Sequence, residues 1–128
     1  MEQDLDSKVC EFIDRYIDSV EQLEILLLLK ETSPRSWTAP QINEKIQSHL
    51  ASVQERLAGL CKMNLVACAG DVFAYPGTDS SQDETVAKLA SIYLKRRIRV
   101  IELIFSRPKN KLRDFSDAFK IRKDPKDG

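Results

Sequence analysis

Leu5, Val9, Phe12, Ile13, Tyr16 and Ile17 recur at i, i+4, i+7, i+8, i+11 and i+12, with Glu11, Asp14, Arg15 and Asp18 between them. That spacing predicts an amphipathic helix from about Asp4 to Asp18, with one apolar side that needs a covering surface. Ser19-Val20-Glu21-Gln22 has the S-x-x-Q form of a capping box and so predicts a fresh helix start, running to about Glu31. Leu23 and the run Ile25–Leu29 leave this second helix almost no polar side, which makes it the expected central element. Thr32–Ser36 carries the breakers of a loop.

Two further capping boxes follow. Thr38-Ala39-Pro40-Gln41 starts a short helix whose inner side is Ile42 and Ile46, and Trp37 stands at the staple position before it. Gln47 to Ala51 reads as a turn with Leu50 packed inward. Ser52-Val53-Gln54-Glu55 then caps a helix expected over Ser52–Met63, with Val53, Leu57 and Leu60 at helical spacing and Asn64 as a left-handed stop. Leu65–Ala69 and Val72–Tyr75 flank Gly70-Asp71 and predict a two-stranded hairpin. A single long helix is expected from about Gln82 to Ser106, ended by Pro108. Its apolar positions form two stripes: Val86, Leu89, Tyr93, Val100 and Ile104, and Ile92 or Leu94 with Ile98, Ile101 and Phe105. Two oily sides place such a helix between two bodies, either within a compact monomer or with a second subunit on one side. Leu112, Phe115 and Phe119 suggest one more short helix.

The order of short helix, turn, second helix and hairpin over residues 37–75 is that of a winged helix-turn-helix. Ile42, Ile46, Val53, Leu57, Leu60, Leu65 and Val66 carry the likeness. With its flanking helices the chain is similar to small bacterial regulators of the MarR type. The resemblance implies a mainly α fold: three helices plus a short two-stranded hairpin, flanked by an N-terminal helix and a long C-terminal one. It implies one domain over 1–128, with 1–18 the N-terminal helix, 19–77 the winged unit, 78–106 the long helix and 107–128 a basic segment. It also implies a transcriptional regulator that binds double-stranded DNA as a homodimer, with helix 52–63 in the major groove.

With Val53, Leu57 and Leu60 turned inward, Ser52, Gln54, Glu55, Ala58, Gly59 and Lys62 face outward and Arg56 lies at the border. Gln54 has the paired donor and acceptor that read adenine, and Arg56 suits guanine or phosphate. Ser52 and Lys62 are expected phosphate contacts at the two ends. Glu55 opposes phosphate, and the acidic tip Ala69-Gly70-Asp71 adds no cation, so the helix is less basic than such readers usually are. Phe12, Tyr16, Ile98, Ile101 and Phe105 are the expected dimer contacts.

Charge sharpens the question. Residues 1–87 hold 7 basic and 15 acidic side chains, and residues 88–128 hold 13 and 5, giving −8 and +8 in a chain of zero net charge. Arg107, Lys109, Lys111 and Arg113 are candidates for a phosphate track. Lys88, Lys95 and Arg99 fall on one face with Arg96 and Arg97 beside it, which suits a phosphate track or an RNA-binding arm, while Lys95–Arg99 fit better a solvated face that pairs with the acidic half, in the same chain or a neighbouring subunit. The alternative to a DNA binder is a winged-helix module that binds protein, which the acidic tip and the split charge both suit.

The remaining features narrow the class. No apolar run approaches the roughly 20 residues of a membrane span, and the acidic N-terminus is unlike a signal peptide, so a cytoplasmic location without membrane association is expected. Cys10, Cys61 and Cys68 form no C-x-x-C pair and no zinc pattern with the lone His49, and read as reduced, mostly buried thiols. Phosphate loops, dinucleotide fingerprints and nucleophile motifs are absent, and Asp14 with Asp18 and Glu21 with Glu24 read as surface carboxylates. No enzyme activity, metal or cofactor is expected.

Overall fold

The computed structural model describes residues 6–77 and 81–106. Six helices and three short strands follow one another: α1 (Ser7–Tyr16), α2 (Val20–Glu31), β1 (Trp37–Thr38), α3 (Ala39–Ile46), α4 (Leu50–Lys62), β2 (Ala67–Ala69), β3 (Val72–Ala74), α5 (Ser81–Lys95) and α6 (Arg97–Phe105). The protein is thus mainly helical, with one small antiparallel sheet in the order β1-β3-β2.

Local chemistry sets most of these boundaries. Asp6 caps α1 by accepting from the Lys8 amide at 2.7 Å. Ser19 Oγ accepts from the Gln22 amide at 3.1 Å to start α2, while the Gln22 side chain accepts from Asp18 N, one residue earlier than a standard box. At α3 the box is complete, with Thr38 and Gln41 each accepting from the other's backbone amide. Gln47, in the left-handed region at φ 57°, ends α3, and Asn64 at φ 63° follows α4 as its left-handed stop. Gly70, at φ 65°, makes the hairpin turn between β2 and β3.

Four expectations are corrected. First, α4 begins at Leu50 with His49 as a cap that makes no side-chain bond, so the expected box at Ser52 does not form. Ser52 Oγ is drawn instead to Glu21 on α2. Leu50, expected to pack inward, is 40% exposed because it stands in the first turn of the helix. Second, Trp37 and Thr38 form a strand. Trp37 pairs with Phe73 and Thr38 with Val72, and the indole N–H donates to Thr32 Oγ1 at 2.9 Å.

Third, the long C-terminal helix is two helices. The chain breaks at Arg96 (φ −132°, ψ 52°) with no Gly or Pro to mark it. The break turns the buried Val100 and Ile104 of α6 onto α1, which also packs against α5. Fourth, Cys61 and Cys68 are joined by a disulfide, with Cα atoms 6.2 Å apart, and only Cys10 is a free thiol.

One core holds the elements together. Val9, Phe12, Ile13 and Ile17 from the first helical stretch join Leu23, Ile25, Leu26 and Leu29 of α2 in one buried cluster, and α2 packs directly on α3 and α4 with their Ile42, Val53, Leu57 and Leu60. From α5 and α6 come Val86, Leu89, Val100 and Ile104. Each such fully buried aliphatic side chain contributes roughly 1.5–3 kcal/mol. The two expected stripes of the C-terminal helices differ in burial. Val86, Leu89, Val100 and Ile104 of the first are inside and Tyr93 is half-buried, whereas in the second Ile92 and Ile101 are half-buried and Leu94, Ile98 and Phe105 are 84%, 68% and 67% exposed. Among the described residues no helix is long and apolar enough to cross a membrane.

Candidate nucleic-acid interface

The inner side of α4 is fixed by packing: Val53, Leu57 and Leu60 are fully buried against α2 and α3. A polar hub fixes its start. Glu21, in the first turn of α2, accepts from Ser48 Oγ, from Ser52 Oγ at 2.6 Å and from Arg56 Nε at 3.3 Å. Burial works against the charged form of Glu21, but the bonds from Ser48, Ser52 and Arg56 outweigh it and hold the carboxyl below its ordinary range. The first helix of the central pair therefore grips the turn before α4 and its first two turns at once.

This hub decides where the expected contact residues stand. Ser52 and Arg56 are turned toward α2 and half-buried. Gln54, Glu55, Ala58 and Lys62 are exposed on the outer side. Gly59, expected outward, is half-buried and faces the Gln22 side chain, 3.9 Å from where a Cβ would stand. Arg107, Lys109, Lys111 and Arg113 lie outside the described residues, as do Leu112, Phe115 and Phe119.

A groove of about 610 Å³ runs between the start of α3, the outer side of α4 and the hairpin. Pro40, Gln54, Ala58, Cys68 and Phe73 line it, with Asp71 at the hairpin turn. The exposed charged side chains of α3, α4 and the hairpin are Glu44, Lys45, Glu55, Lys62 and Asp71, an excess of one negative charge, and of these Asp71 lines the groove. The groove is thus shaped by small apolar and amide side chains and not by cations.

The opposite side of α2 is tied to the C-terminal helices by two carboxylate–tyrosine–cation groups. Asp83 accepts from Tyr75 Oη at 2.6 Å and Lys30 Nζ at 3.0 Å. Glu24 accepts from Tyr93 Oη at 2.7 Å and Arg97 Nη2 at 3.2 Å. Lys88 pairs with Asp6 at 3.3 Å. Lys88 and Arg97 therefore pair with acids of the N-terminal half inside one chain, so part of the −8/+8 split is neutralised within the fold. Of the expected dimer contacts, Phe12 is 5% exposed and belongs to the core. Tyr16 is half-buried, its ring tilted against Phe12 with centroids 5.0 Å apart, and accepts from Gln82 Nε2. Ile101 is half-buried, and Ile98 and Phe105 are open to solvent.

Two features of the site were not read from the sequence. Glu21 looked like an ordinary surface acid, although it is one of few polar residues in the first turns of an otherwise apolar helix. The Cys61–Cys68 link joins the last turn of α4 to β2 across a sharp turn, and a spacing of seven residues carries no motif. No family model, no curated protein and no solved structure matches the chain.

Proposed function

We propose that the protein is a winged helix-turn-helix regulator that binds double-stranded DNA through the outer side of α4 and works as a homodimer. The observation that carries this is the arrangement of α4. Its inner side is locked by Val53, Leu57, Leu60 and the Glu21 hub, while Gln54, Ala58 and Lys62 stand exposed beside a short hairpin. A helix held rigidly from behind and bare in front, with a hairpin at its flank, suits entry into a major groove. Gln54 is the base-reading residue and Lys62 a phosphate contact. Arg107, Lys109, Lys111 and Arg113 supply further phosphate contacts, which the near-neutral outer side of α4 needs.

The test is fluorescence anisotropy of the full chain with duplex DNA at low and moderate salt. Affinity that falls steeply with salt, and that drops when Gln54 and Lys62 are both changed to Ala, supports the proposal. No affinity at low salt removes it.

The apolar lining of the groove, with Asp71 at the hairpin turn and Arg56 committed to Glu21, favours a second reading: an interaction module that binds protein at the same place. Capture of a protein partner without any duplex affinity supports that reading instead.

A further inference from the structure

The disulfide between Cys61 and Cys68 connects the two elements that the DNA reading brings together. Cys61 sits in the last turn of α4 and Cys68 at the middle of β2. β2 is an edge strand. Its ladder partner is β3, and its residues Ala67, Cys68 and Ala69 are all exposed, so little apolar burial holds it in place. β3 by contrast is paired on both sides, with β1 as well as β2. Just before β2 the chain is held to α4 by the Leu65 N–H donating to the Leu60 carbonyl and by the buried Leu65 and Val66; within β2 itself the covalent link ties the strand to α4, and Cys68 lines the groove between them.

We infer that Cys61 and Cys68 form a reversible thiol–disulfide clamp that sets the order of the hairpin against α4 and so regulates the proposed DNA site. The regulatory part rests on the DNA reading; the clamp itself does not. The two sulfurs are unequal. Cys68 is exposed to a small oxidant. Cys61 is half-buried at a helix C-terminus, where the negative end of the helix dipole disfavours a thiolate.

Cys68 is accordingly the attacking thiol and Cys61 the resolving one. With a small disulfide such as oxidised glutathione, the Cys68 thiolate attacks one glutathione sulfur and the other glutathione leaves as thiolate. The Cys61 thiolate then attacks Cys68 Sγ and expels the second glutathione. Two protein thiols are oxidised, each losing its proton to solvent or a leaving thiolate, and one glutathione disulfide is reduced to two thiols. Cys10 lies half-buried on α1, and burial pushes its thiol pKa up, which keeps it out of this exchange.

The test uses the full chain, reduced and then treated with oxidised glutathione. Titratable thiols should fall from three to one, and Cys10→Ser should lower both numbers by one. Amide hydrogen exchange at 67–70 should be about tenfold or more faster in the reduced chain, with α2 unchanged. Cys61→Ser should trap glutathione on Cys68, seen by mass, whereas Cys68→Ser should trap little. Duplex affinity should be about threefold or more weaker in the reduced chain and in Cys61→Ser/Cys68→Ser, because binding must then order the hairpin.

Three thiols remaining after oxidation, or equal exchange in both states, overturns the clamp. A closed clamp with equal duplex affinity in both states overturns its regulatory role. Absence of duplex binding in both states counts against the DNA reading, and thiol number and exchange then decide the clamp alone.

Discussion

Arg56 on α4 turns its guanidinium back to Glu21 on α2, with Nε 3.3 Å from the carboxylate. The cation nearest the middle of the exposed helix thus serves the fold first. Glu21→Gln should lower stability by about 1–3 kcal/mol, since it leaves Ser48, Ser52 and Arg56 without their charged acceptor. The pH dependence has a fixed sign. A carboxyl held below its ordinary value of 4.5 stabilises the fold above that value, and the contribution is lost as pH falls through the lowered one. Urea unfolding of wild type and variant, from neutral pH down to about pH 3, should show their difference shrinking on the acid side. An equal difference at both ends would remove Glu21 as the hub.

Tyr75 and Tyr93 give the opposite limb. Burial, and then the bonds to Asp83 and Glu24, hold both phenols well above the ordinary tyrosine value of 10.0. In the unfolded chain they ionise from about pH 10, while in the fold they stay protonated. Their contribution is therefore complete below that pH and is lost as pH rises through the raised values. Tyr75→Phe should cost about 1 kcal/mol near neutrality and keep the Lys30–Asp83 pair. Tyr75→Phe/Tyr93→Phe should unfold over a flatter alkaline range than wild type, measured by circular dichroism against pH. Coincident alkaline curves would mean that the two phenols are not held protonated by the fold.

The two exposed polar residues of α4 separate grip from reading. Lys62→Ala should weaken duplex binding about equally on all sequences and reduce the salt slope by roughly 0.9, the share of one phosphate contact. Gln54→Ala should leave the slope unchanged and relax preference at one base pair, where a bidentate amide pair is worth about 1–3 kcal/mol. Binding isotherms over a salt series on two duplexes that differ at one A·T pair measure both. A salt slope that moves with Gln54 and not with Lys62 would reverse their roles.

Most of this architecture is legible in the chain because it is written in local rules. The Thr38–Gln41 box, the left-handed Asn64, the Gly70 turn and the heptad-like burial of Val53, Leu57 and Leu60 each follow from residues within one or two turns. What was missed depends on distant partners. Ser52 has the sequence of a cap, yet Glu21, 31 positions away, takes its hydroxyl, and the helix starts two residues sooner. Trp37 becomes a strand residue because Phe73 lies beside it. The break at Arg96 answers the need of Val100 and Ile104 to meet α1, a demand that no residue near the break announces. The outer side of α4 was read correctly at Gln54, Glu55 and Lys62, where exposure follows from helical period, and at Arg56, which is half-buried at the border, but not at Ser52 and Gly59, where α2 intervenes.

The difference in burial between the two C-terminal stripes makes the homodimer testable without disturbing the core. Ile98 and Phe105 are open and Ile101 between them is half-buried, so the spacing of three and four residues forms one outward seam on α6, with the open Leu94 at the end of α5 before the break. Val100 and Ile104, on the other side of α6, keep it packed. Ile98→Glu/Phe105→Glu should therefore fold normally, yet weaken self-association by about 100-fold or more, as expected when central apolar anchors become charged. Light scattering of the full chain should give twice the 14.6 kDa chain mass for wild type and the single mass for the variant. The monomeric variant should still bind one half-site and lose the gain from a duplex with two half-sites about 34 Å apart. A wild type that stays at the single mass over the whole concentration range would detach DNA binding from dimerisation and leave the seam without a second copy.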